Sequence, residues 1–271
     1  MTNLKSKKEK ANVKEVRKPF LTGRIIDERT LRSSLLFFGV AIVIFFVAMI
    51  ACATAIFNNT ILRILLNTAV IVLGLYVFFN NGTKRGADDV TRGEILWQKQ
   101  ETASESERKM CFHPMKGYVI GLIGSVPFLI LTIWLAVTTT IQMTEAGTLP
   151  SWMQTYVRRS DIGSALVSYT QPEGMTAVDF IRAIVRIIIL PFVNLVGTSN
   201  KAGILLLERI SPLIMLLPAA AYGTGYLTGK SVRTQIHTAI SANEQKRIRT
   251  EKKKRAARSR QQSRREPEQL N

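Results

Sequence analysis

The chain has only two cysteines and two histidines in 271 residues. Cys52 falls in an apolar run and Cys111 in a polar stretch, so no disulfide framework is expected. Metal sites need ligands clustered at helical or loop spacing. His113 and His237 stand far apart, each without a second ligand nearby, so no metal and no cofactor is expected. Acids are scarce as well: 19 Asp and Glu face 37 Lys and Arg, a formal net charge of +18. No nucleophile elbow, HExxH motif or dinucleotide fingerprint occurs. Gly229-Lys230-Ser231 ends like a phosphate loop, but that motif needs glycine where Thr224 stands, and it follows a buried strand. Without such a motif the chain reads as non-enzymatic.

What is present is an excess of apolar residues. They make up 46% of the chain, and mean hydropathy is positive at +0.12. A disordered polycation is depleted in Leu, Ile, Val and Phe. Apolar and basic residues must therefore be segregated along the sequence, which disfavours one soluble domain and suits a membrane protein.

The segregation is visible. Residues 1–32 form a polar N-tail with ten Lys/Arg. Leu35 to Phe57 is a run of 23 residues without a charge, long enough to cross a hydrocarbon core of about 30 Å at about 1.5 Å per residue. It is longer than the core of a signal peptide and lacks a small-residue cleavage site, so it is expected to remain as an anchor. Asn58-Asn59-Thr60 reads as a turn into a second run, Ile61 to Phe79, with Arg63 near its start able to snorkel. Residues 33–80 thus read as a transmembrane hairpin. Residues 81–116 read as a charged loop with a possible surface helix from Asp88 to Lys109, and Asp88, Asp89 and Glu94 as solvated. Tyr118 to Thr140 is a third uncharged run, and Ile210 to Gly229 a last one, within a membrane region 117–229. The tail 230–271 holds 13 Lys/Arg and four acids.

Lys and Arg near span ends mark the cytoplasmic side. The N-tail has ten, the middle loop seven and the C-tail thirteen, against two in residues 141–178. Both termini and the middle loop are therefore expected inside, and 141–178 outside, which requires an even number of crossings. Of five apolar stretches, 179–200 is the one expected not to cross, because its uncharged part from Ile187 to Asn200 is only 14 residues. Asp179, Arg182, Arg186 and Asn194 share one helical face, so it reads as an outer interfacial helix or a re-entrant segment bent at Pro191. The expected fold is all-α, a polytopic integral membrane protein with four transmembrane helices plus this segment. Five crossings are the alternative.

An ionisable group at membrane depth marks a candidate site. Arg182, Arg186, Glu208 and Arg209 qualify. They could form an Arg182/Arg186–Glu208 pair along an ion or substrate path, or sit at the outer headgroup level pairing with lipid phosphates and one another; the headgroup placement is the one expected. Ala221, Gly225 and Gly229 recur every four residues, a small-residue stripe for helix packing within the chain. From Lys246 to Arg260 nine positive charges face one Glu, among them Lys246, Arg247, Arg249, Lys252, Lys253, Lys254 and Arg255. The tail, expected to continue the last span as a helix, could be merely topogenic, touch anionic lipid head groups, or touch RNA or a ribosome. No aromatic follows Tyr226, which disfavours base stacking.

The expected function is a non-enzymatic accessory or scaffold subunit in a cell membrane, provisionally bacterial, docking protein partners in the bilayer and at its cytoplasmic face. The alternative is a small transporter or channel subunit using the Arg/Glu residues.

Overall fold

The computed structural model describes residues 16–53, 60–99, 104–139, 151–163, 166, 177–197 and 200–265. Among them every regular element is helical, and one isolated bridge joins Thr22 to Phe112. In chain order the helices are α1 (Glu28–Ala53), α2 (Thr60–Gln98), α3 (Glu105–Lys109), α4 (Lys116–Thr138), α5 (Ser151–Gln154, continued by a 3-10 turn, Thr155–Arg158), α6 (Ala177–Ile188), α7 (Leu190–Val196) and α8 (Lys201–Arg265). Asn58 and Asn59 of the expected turn, and most of the expected outer loop, lie outside the described residues.

Four helices, α1, α2, α4 and α8, are long and apolar enough to cross a membrane. Uncharged runs of this length become helices because a helix satisfies every backbone donor and acceptor internally. Their large apolar side chains are widely exposed, to 72% at Leu35 and 82% at Val137. Such surfaces call for an apolar surrounding. The α6 and α7 helices have 12 and 7 residues. At about 1.5 Å per residue neither reaches across about 30 Å.

Prolines do not break the long helices. Pro127 lies inside α4, and Pro212 and Pro218 inside α8. Pro212 removes the N–H that would reach the Glu208 carbonyl, and the Ser211 hydroxyl donates there instead at 2.7 Å. The α6–α7 break falls at Ile189, not at Pro191. Proline is well accommodated in the first turn of a helix and disfavours helix before it, so the interruption precedes it.

The chain forms two compact units. The first comprises Ile25–Gly82 and Met115–Gly225. Its core gathers Phe37, Phe78, Ile120, Val185, Ile189 and Tyr222, among others. Phe37 stacks tilted on Phe78 at 5.1 Å and meets Tyr222 edge-on at 5.4 Å. Asp27 caps α1, its Oδ1 accepting from the Thr30 N–H at 2.6 Å, while its Oδ2 accepts from the buried Lys116 Nζ at 2.8 Å. Burial pushes the Asp27 carboxyl up, but hydrogen bonds from Lys116 and Thr30 outweigh it and hold it below its ordinary value.

The second unit comprises Met1–Arg24, Thr83–Pro114 and Tyr226–Asn271. Among its described residues, an extended segment before Arg24 runs beside the α2 end and the turn after α3. Leu21 N–H donates to Gly93 O at 3.2 Å and Gly23 N–H to Phe112 O at 3.0 Å. Phe112 stacks flat on Tyr226 at 5.1 Å, and Phe20 meets Phe112 edge-on at 6.0 Å. Residues 81–98, read above as part of a loop, are the continuation of α2. Asp89 and Glu94, read as solvated, are buried. The reason is that α8 also continues, and it presents partners to both.

Candidate functional site

The first candidate lies in the unit of apolar spans, where α6 carries Asp179, Arg182 and Arg186 on one face. That face is turned onto protein. Arg186 Nε donates to Glu208 Oε1 at 2.7 Å, and Arg182 Nε lies 3.5 Å from Glu208 Oε2. Thr139, which caps the end of α4, donates its hydroxyl to Glu208 Oε2 in a short hydrogen bond. Arg182 Nη2 donates to Thr139 Oγ1 at 2.9 Å, and Arg182 Nη1 lies 3.5 Å from Asp179 Oδ1. Three helix ends thus converge on one carboxylate. Glu208 is 2% exposed and Arg182 6%.

The pairing of these charges with one another is found for Arg182, Arg186 and Glu208. Arg182 and Glu208 form a buried ion pair inside the protein, and Arg186 and Asp179 keep partly open side chains. Arg209 is exposed and takes no part in the cluster. Asn194 belongs to a separate contact: its Nδ2 donates to Oδ1 of buried Asn67 at 3.3 Å. Asn67 was missed in the sequence, although a lone amide within an apolar run is a legible signal for an interhelical hydrogen bond.

The second candidate lies in the other unit. His237 Nε2 lies 2.9 Å from both oxygens of Glu94, and Arg233 Nε donates to Glu94 Oε2 at 3.0 Å. One turn earlier on α2, Asp89 Oδ2 accepts from the Tyr226 hydroxyl at 2.8 Å. The Lys230 ammonium sits 5.4 Å from the Phe20 ring centre. Residues 226, 230, 233 and 237 recur at three and four, so one stripe of α8 makes every one of these contacts. This cluster of paired charges binds α8 in place. It holds no group of three or more His, Cys, Asp or Glu arranged for a metal, nor does any other place among the described residues.

The small-residue stripe packs within the chain. A Cβ on Gly225 would strike the Phe79 carbonyl, and one on Gly229 would strike the backbone of Gly86 and Ala87. Ala221 packs against the apolar core. Glycine is required at 225 and 229 because α2 and α8 touch there backbone to backbone.

The third candidate is the end of α8. From Asn243 to Ser259 every described side chain is exposed. Lys246, Arg247, Arg249, Lys252, Lys253, Lys254, Arg255 and Arg258 are all on this exposed helix. One acid, Glu251, pairs with Arg247 at 3.4 Å.

A small apolar cleft of about 60 Å³ lies in the span unit, lined by Ile44, Phe45, Val70, Leu75, Phe192 and Met215 among others. It carries no ionisable side chain. Comparisons with protein-family models, curated proteins and solved structures returned no match.

Proposed function

We propose that the chain is a polytopic membrane protein whose work is docking: a non-enzymatic accessory or scaffold subunit that holds partners in the bilayer and presents a basic surface on the cytoplasmic side. In this reading α1, α2, α4 and α8 cross, α6 and α7 form a re-entrant or interfacial pair on the outer side, and both termini are cytoplasmic.

One observation carries it. Three sequence segments separated by apolar helices pack into a single unit: the stretch before Arg24, residues 83–114, and α8 from Tyr226 onward. Segments that pack together lie on one side of a membrane, so an even number of crossings separates each from the next. These are also the three segments richest in Lys and Arg, the count by which the charge rule assigns segments to the cytoplasm.

The docking role is supported by how charge is used. Buried acids are paired, while the tail cations are displayed. Two measurements test it. In a cysteine-free background, Thr170→Cys and Lys201→Cys should both be labelled from outside; labelling on opposite faces would sink the four-crossing topology. After cross-linking and mild detergent, a defined protein set should accompany the intact chain and be depleted when 244–271 are removed. The transport alternative rests on buried Glu208, and abolition of a measured proteoliposome flux by Glu208→Gln would favour it over docking.

A further inference from the structure

We infer that the exposed end of α8, Lys246 to Arg258, docks on folded RNA through its phosphates. This deepens the docking reading and rests on it.

The first argument is distance. Helix α8 is unbroken from Lys201 to Arg265. Its stretch just past the span is clamped: Tyr226 on Phe112 and Asp89, Arg233 and His237 on Glu94, and the Thr238 hydroxyl accepting from the Val16 N–H at 3.1 Å. Lys246 comes 17 residues after Gly229 and Arg258 comes 29 after it. At about 1.5 Å per residue, the basic stretch begins about 25 Å and ends about 44 Å along the axis from the span end. The surface potential of anionic lipid decays within a Debye length, about 8 Å at physiological salt. Where α8 leaves the bilayer along its own axis, these cations stand beyond that field.

The second argument is azimuth. A helix lying on lipid has an apolar stripe at least about 100° wide. At about 100° per residue, the eight cations from Lys246 to Arg258 fall on all sides of α8, with no gap wider than about 80°. Their apolar neighbours are Ile248, Ala256 and Ala257, which share no stripe. A helix charged on every side is matched by a partner that surrounds it with anions. Folded RNA offers phosphate-lined clefts of this kind. A B-DNA major groove takes a helix on one face and leaves the other outward. With no aromatic past Tyr226, the contact neutralises phosphates and does not read bases.

The test uses the full chain in nanodiscs of phosphatidylcholine alone and with about 30% phosphatidylglycerol. Fluorescent transfer RNA is the probe, titrated from 50 to 200 mM salt. With about six phosphates neutralised, log K should fall against log salt with a slope of about −5, which is about 10³-fold weaker binding across that range. Replacing Lys252, Lys253, Lys254 and Arg255 together by Gln should flatten the slope by about 3 to 4. These side chains are exposed, so folding is not at stake, and circular dichroism checks the helix. The inference is overturned by undetectable RNA binding at 50 mM salt, by a slope unchanged in the fourfold variant, or by equal binding to duplex DNA. It is equally overturned if phosphatidylglycerol abolishes RNA binding, since the tail then lies on lipid. If RNA binding fails while removal of 244–271 still strips cross-linked protein partners, the docking role stands and the RNA assignment falls. If removal changes neither, both fall.

Discussion

Changing Glu208 to Gln keeps the shape of the side chain and removes its charge. Arg182, 6% exposed, then keeps Asp179 at 3.5 Å as an ion-pair partner, on a side chain 38% exposed. A pair of unit charges about 4 Å apart attracts by about 4 kcal/mol at an effective dielectric of about 20. Removing one member of a buried pair costs about 3–5 kcal/mol, because the other charge stays desolvated. Arg186 suffers less, since its open side chain can turn outward. The expected loss for Glu208→Gln is therefore about 3–5 kcal/mol, dominated by Arg182. Its signature is non-additivity. Arg182→Met combined with Glu208→Gln removes both buried charges and should be more stable than Glu208→Gln alone. Equilibrium unfolding in mixed micelles, followed by tryptophan fluorescence, measures both variants. A single-variant loss under about 1 kcal/mol, or a double variant weaker than the single, would show that the cluster is not the desolvated pair described here.

Gly229→Ala should cost at least about 1–3 kcal/mol, because the added methyl meets backbone that cannot yield, whereas Gly39→Ala, with open space around it, should be neutral or stabilising; thermal unfolding of the two side by side checks this. Glu94→Gln should lower stability by about 2–4 kcal/mol by leaving Arg233 without its buried carboxylate, and should raise proteolysis between residues 83 and 114. The Asp27–Lys116 pair should make stability pH-dependent in a defined sense. The Asp27 pKa lies below its ordinary 3.8 in the folded state, so its contribution is complete above about pH 4 and is lost as pH falls through the folded value. The stability gap between the native chain and Asp27→Asn should therefore close on acidification, and a gap constant from pH 6 to pH 3 would contradict this.

Much of the architecture was legible. Apolar runs of 19 to 23 residues announced the apolar helices, and the lack of breakers after Ser231 announced the continuation of α8. The stripe at Ala221, Gly225 and Gly229 pointed to close packing, although not to Phe79 or Gly86 as the surfaces met. The charge clusters were legible only in part. Periodicity put Asp179, Arg182 and Arg186 on one face, but says nothing of whether a polar face meets lipid, water or a carboxylate. Composition left lipid phosphate and one another as partners, and geometry brings Arg182 and Arg186 to Glu208. Asp89 and Glu94 were misjudged for a different reason. Their partners lie 137 and up to 143 residues away, and local composition around them is that of an ordinary charged loop. Long-range pairing of this kind leaves no periodic trace.

The unit assembled from the segment before Arg24, residues 83–114 and the end of α8 has a consequence for biogenesis. Its last component is the last to leave the ribosome, so Asp89, Glu94 and Phe112 wait for Tyr226, Arg233 and His237 until nearly the whole chain is made. In the proposed four-crossing topology, a molecule inserted with one helix inverted separates those partners and leaves Asp89, Glu94 and the Phe112 ring uncovered. In that topology, burial of this unit depends on every earlier helix having been threaded in the right direction.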